Sequence, residues 1–195
     1  DTGDGFIEFD NFRLIPKGYE HKSMDWKASE ILAPVKNASF DQIESLGKVT
    51  AWRNTDGTIA MVLSNFSVNG VVYDNAIAIT ENTDLTSGAL TIKQFLKDGG
   101  KFRPFLVAGE GELSIIPNDA FVVGDKVYMH YYAKATQDPE NVEVWTNAYG
   151  GFAVSEDGGR SWTKCEKTWK GDGCFSQAGF YEKDDVLYMV GSRSG

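Results

Sequence analysis

The chain has 195 residues, 42% of them hydrophobic and 13% aromatic, enough for a packed core, and no apolar run approaches the roughly 18–20 residues of a membrane-spanning helix. Its 28 acidic and 19 basic residues give a formal net charge of −9. That charge is spread along the sequence rather than gathered in a tail, which argues against nucleic acid and anionic membrane surfaces as partners.

Residue 1 is aspartate and no charged-then-apolar leader follows it, so the numbering is expected to begin after a processing site or at a cloning boundary. Residues 1–46 hold one expected hairpin, Phe6 to Ile15, and an irregular remainder. The opening "DTGDG" has incomplete spacing for a calcium loop. No metal or cofactor is expected. His21 and His130 lie far apart, His130 sits within an alternating strand, and no phosphate loop or nucleophile elbow is present.

Beyond residue 46 the chain repeats itself. "AWRNTDGTIAMVLSN" from Ala51, "AFVVGDKVYMHYYAK" from Ala120 and "AGFYEKDDVLYMVGS" from Ala178 share one plan. Each is a strand-like run, a tight polar turn, and a second strand carrying Met61, Met129 or Met189 at the same offset. Further strands follow the first two hairpins, so the unit is four antiparallel strands recurring about every 60–70 residues. Such a repeat predicts an all-β chain built of β-propeller blades. Residues 47–95 and 113–165 give two blades, and 176–192 the first hairpin of a third. The remaining blades are therefore expected from a longer chain or another copy.

"SEDGGRSWT" lies in the turn between the third and fourth strands of the second blade. It matches the Asp-box pattern through Ser155, Asp157, Gly159, Ser161 and Trp162. The Asp157 carboxylate is expected to accept turn amides, a glycine to supply the positive φ, and Trp162 to pack back between sheets. This is a structural staple rather than a catalytic acid. Cys165 and Cys174 stand close together in "TKCEKTWKGDGCF". A disulfide closing that loop would add about 2–3 kcal/mol and suit an exported protein, the alternative being two reduced thiols. A zinc site would need further ligands nearby.

The stretch from Glu112 to Gly195 carries "ELSIIPNDAFVVGDKVYMHYYAK", "WTNAYGGFAVSEDGGRSW" and "FSQAGFYEKDDVLYMVGSRSG" in order. It resembles domain-of-unknown-function family 4185, some members of which are endo-D-arabinanases with a five-bladed propeller. Residues 47–80 resemble the family's first blade. The resemblance implies a secreted or cell-surface glycoside hydrolase acting on an arabinan-like polysaccharide or oligosaccharide, with acid and base carboxylates in the propeller channel. It also shows a departure. Where family members carry an acid at the end of the second strand, this chain has Asn65, with Asp74 and Asn75 following.

Glycoside hydrolysis needs two carboxylates, about 5–5.5 Å apart for retention or 6.5–9.5 Å for inversion. The candidates are Asp74, Glu112 and Asp119, each of which also reads as an ordinary surface acid. Asn65, Asn75, Asn118, Asn147 and Gln177 are candidates to hydrogen-bond sugar hydroxyls. Trp145 and Tyr149 offer rings for stacking on a furanose, although Trp145 reads equally well as blade core. Two or more carboxylates reaching the channel would point to the hydrolase. One or none would point to a propeller that binds glycan or protein without turning it over.

Overall fold

The computed structural model describes residues 43–80, 92–136, 140 and 144–192, all of them within one unit, Ala33–Gly195. The described residues are all-β. Strands β1 (Ile43–Arg53), β2 (Ile59–Val68), β3 (Val71–Thr80) and β4 (Ile92–Phe95) form one four-stranded antiparallel meander. After the short β5 (Lys97–Asp98) and β6 (Lys101–Phe102), a second meander follows. It consists of β7 (Ser114–Val123), β8 (Lys126–Thr136), β9 (Trp145–Ser155) and β10 (Thr163–Lys170). A hairpin of β11 (Gln177–Lys183) and β12 (Val186–Ser192) ends the described chain. The Phe6–Ile15 hairpin, "DTGDG" and His21 lie outside the described residues. Among those described, no helix is long and apolar enough to cross a membrane.

The turns sit where the sequence places them. Between β1 and β2 the Asp56 carboxylate accepts the Thr58 amide at 2.9 Å, and the Gly57 amide donates to the Asn54 carbonyl at 2.9 Å. Asn69 and Gly70, with φ of 52° and 74°, make the two-residue turn joining β2 to β3, matching the right-handed twist of the strands. Asp184 and Asp185 do the same between β11 and β12, with φ of 52° and 60°.

Strand alternation then sorts the chain into two edges. One edge holds the starts of β1, β7 and β11, the Asn69–Gly70 turn, the end of β8 at Thr136 and the start of β9 at Trp145. The other holds the turns at Asn54–Thr58, Gly124–Asp125, Ser155–Trp162 and Asp184–Asp185. Two contacts show that the two meanders pack the same way up. The Asn54 amide donates to the Gly158 carbonyl at 3.2 Å on the turn edge, and that of Asn75 to the Ile115 carbonyl at 3.2 Å on the other.

Alternation along the strands supplies the core between them. Trp52, Val62, Ile77, Ile115, Met129 and Tyr131 are buried together, with Trp162 and Phe105 closing the packing. The opposite face of the first meander buries Met61, Leu63 and Phe66 against Tyr73, Phe95 and Phe102.

The expected disulfide is corrected by the structure: Cys165 and Cys174 are both free thiols. Bridging requires Cα atoms within roughly 7 Å, whereas an extended strand advances about 3.3 Å per residue. β10 continues from Cys165 to Lys170 before the chain reverses, where the Gly173 amide donates to the Lys170 carbonyl at 2.9 Å. Cys174 is thereby carried to the other end of the strand.

Candidate functional site

The first strands of the three successive units, β1, β7 and β11, meet around a shallow cleft of about 360 Å³ lined by Lys48, Asn118, Asp119, Gln177, Gly179 and Val190. A bulge in β7 shapes it: Pro117 pairs with Tyr131 and Asp119 with His130, leaving Asn118 as the extra residue. Proline has no amide hydrogen to give the ladder, so the bulge forms beside it and re-aims the side chains that follow.

The polar groups here are tied into one chain. The Lys48 ammonium donates to Asn118 Oδ1 at 3.3 Å, and Thr50 donates to the Asn118 carbonyl at 3.3 Å. An ammonium only donates, so it fixes the oxygen of the Asn118 amide on its side and the nitrogen on the other. That nitrogen lies 3.1 Å from His130 Nδ1, which must accept, so the ring proton is on Nε2 and is donated to the Phe175 carbonyl at 3.1 Å. His130 is fully buried, and burial pushes its pKa down to about 4, against the opposing pull of the Phe175 carbonyl. It is therefore a neutral member of the network. Burial also lowers the Lys48 ammonium from its ordinary range, with the Asp119 charge opposing.

Asp119 itself is committed to backbone. One oxygen accepts the Ala120 amide at 2.9 Å and the other the Phe180 amide at 2.8 Å, which clamps β11 to β7. Of the residues expected from sequence, the cleft brings together Asn118, Asp119 and Gln177.

Glu112 lies elsewhere. Its carboxylate, only 10% exposed, takes both Nζ contacts of Lys164 at 2.7 Å, the Gly109 amide at 2.7 Å and the Tyr149 hydroxyl. Burial alone would raise its pKa, but the Gly109 amide, Lys164 and Tyr149 outweigh it and hold the carboxyl below its usual range. Tyr149, whose ring also packs edge-on to Tyr131 at 6.0 Å, is pushed up to about 12 by burial and by its bond to Glu112. Glu112, in the 103–113 linker between β6 and β7, thus forms a locked cluster with Lys164 and Tyr149.

Asn65 falls between the Ser64–Asn75 and Phe66–Tyr73 pairs, opposite Asp74. Its φ of 48° is left-handed, a conformation that Asn and Asp adopt more readily than other side chains. Asp74 is raised above its usual range by burial, with Lys134 opposing. Lys134 in turn stands 3.7 Å over the ring of Trp145, which is 45% exposed. Asn75 and Asn147 are buried. The Asn75 carbonyl oxygen accepts the Phe105 amide at 2.6 Å and its nitrogen donates to Ile115 and Leu106, so this side chain splices the linker to the first meander. Asn147 packs against Gly171, where a Cβ would meet its carbonyl oxygen at 1.7 Å.

The Ser155–Trp162 turn lies on the far edge. Asp157 accepts the Arg160 and Ser161 amides at 2.9 Å each and the hydroxyls of Ser155 at 2.7 Å and Ser161 at 2.6 Å. Burial would raise its pKa, but these hydrogen bonds lower it. The Ser155 hydroxyl accepts the Gly159 amide at 2.8 Å, and the Trp162 indole donates to the Gly159 carbonyl at 2.9 Å.

Lys48 is the cleft residue that sequence reasoning passed over. A single lysine in an alternating strand carries no local signal, and only the packing of β1 on β7 brings it to Asn118. Among the described residues, no group of three or more His, Cys, Asp or Glu side chains could hold a metal ion.

No curated protein matches the chain. A family model does match, across residues 50–195, which takes in both meanders from the last residues of β1 onward and the final hairpin. On that match the chain belongs to the family described as Domain of unknown function (DUF4185).

Proposed function

We propose that the repeated meanders are blades of a β-propeller, and that the chain binds a polysaccharide or oligosaccharide in the cleft where β1, β7 and β11 begin. The observation that carries this reading is the convergence of Lys48, Asn118 and Gln177 from three successive first strands on one cleft. Propeller ligands gather where inner strands open, and amide side chains with an ammonium suit sugar hydroxyls. Binding is favoured over turnover because Asp119, the carboxylate lining the cleft, has both oxygens occupied by backbone amides. An exported or cell-surface location follows from this reading. Calorimetric titration with neutral arabino-oligosaccharides tests it. Binding should be measurable and should weaken about tenfold in Gln177→Ala, the worth of one hydrogen bond at the upper end of its range. No heat of binding at millimolar sugar, neutral or acidic, would overturn it.

A second reading, hydrolysis, is favoured by one observation: burial shifts Asp74 toward its protonated form, as a general acid requires. Asn65 lies opposite Asp74 between the Ser64–Asn75 and Phe66–Tyr73 pairs, so Asn65→Asp would set a second carboxylate beside Asp74. Release of reducing sugar from arabinan should rise in Asn65→Asp and disappear when Asp74→Asn is added. No release from either the parent or Asn65→Asp would remove this reading.

A further inference from the structure

We infer that the glycan held in the cleft is acidic, with the Lys48 ammonium receiving the carboxylate of a uronic acid residue. This rests on the carbohydrate-binding reading and narrows it.

Lys48 lines the cleft, half-buried, and its hydrogen bond to the neutral Asn118 amide uses one of the three donors an ammonium carries. Among the described residues it takes part in no ion pair. Withdrawing a cation from water without a counter-charge is costly, and the cost is recovered when an anion arrives. The neighbouring Asp119 carboxylate offsets part of that cost through space but forms no ion pair with the ammonium. Asp119 is held toward Ala120 and β11 by its two backbone contacts.

The surroundings fit a sugar acid. Asn118 is fixed by His130, so its oxygen anchors the ammonium without neutralising it. Gln177 supplies a second amide, and the cleft of about 360 Å³ has room for about one sugar residue and its carboxylate.

The test is calorimetric titration of the chain with a galacturonic acid trisaccharide and a neutral arabinotriose, at low and high salt. The acidic sugar should bind at least about tenfold tighter at low salt, and the margin should shrink as salt screens the charge. Lys48→Met, which keeps the length of the stem, should abolish the margin by weakening the acidic sugar at least about tenfold more than it weakens arabinotriose. Lys48→Arg, which keeps the charge, should retain it. That second variant decides the matter if Lys48→Met melts lower than the parent. Equal binding of the two sugars, or a margin that survives in Lys48→Met, overturns this inference and leaves the carbohydrate-binding reading standing. Binding of neither sugar overturns both.

Discussion

Gly159 of the second meander seats directly on Trp52 of the first: a Cβ there would lie 2.0 Å from the Trp52 ring, and its φ is +91°. Trp162 from the same turn meets Trp52 edge-on, with centroids 5.4 Å apart. The Ser155–Trp162 turn is therefore a bearing between the two sheets as well as a turn. Gly159→Ala should cost about 3 kcal/mol or more, since it adds a clash with a buried ring to an unfavourable backbone conformation. Gly57→Ala, at φ of +84° with open space around it, should cost only about 1 kcal/mol. Denaturant midpoints of the two variants give the comparison.

Asp157→Ala should lower stability by about 1–3 kcal/mol, because it strips partners from the Arg160 and Ser161 amides, while sugar binding per folded molecule is unchanged. Its folded pKa is depressed, so the stability it contributes is present above its ordinary carboxylate value and lost as pH falls through the folded one. Loss of binding at unchanged stability would show instead that the turn takes part in the site.

His130 sets a pH window of its own. With a folded pKa of about 4 against an ordinary 6.5, the unfolded chain binds the extra proton between those values. Stability should therefore be full above pH 6.5, fall by about 3 kcal/mol as pH drops to about 4, and level off from this source below that. In His130→Gln, which does not titrate, the slope across that window should flatten. Urea denaturation at a series of pH values measures it.

Glu112→Gln should destabilise by about 1–3 kcal/mol, leaving Lys164 without its counter-charge at a partly exposed site. Adding Lys164→Met should recover part of that loss, a coupling that a double-mutant cycle reads directly. If the single variant instead abolished sugar binding at full stability, Glu112 would belong to the site rather than to the linker.

The two thiols should titrate without reductant. Cys174 is exposed, whereas Cys165 is half-buried and its thiol is pushed up by burial. A thiol reagent should modify Cys174 promptly and Cys165 slowly, and reductant should leave the melting temperature unchanged.

The strands and turns were legible because their causes are local. Asp56–Gly57, Gly124–Asp125 and Asp184–Asp185 specify reversals through φ values their own residues tolerate, and period-two alternation sets which side chains face inward. The repeat of those hairpins was enough to show four-stranded units. The roles of the polar residues were not legible, because each depends on a partner far along the chain. Glu112 is claimed by Lys164 and Tyr149, Asn75 by Phe105 and Ile115, and Asp119 by Phe180. Lys48 acquires its place only when β1 packs against the bulge at Asn118. The cysteines were misjudged for a related reason. Closeness in sequence says nothing about closeness in space when an extended strand lies between. The sequence by itself determined the strand and turn pattern, since backbone preference and burial act over a few residues. Tertiary structure alone decided which carboxylates and amides remain available to a ligand, because a hydrogen bond is made with whatever group packing brings within reach.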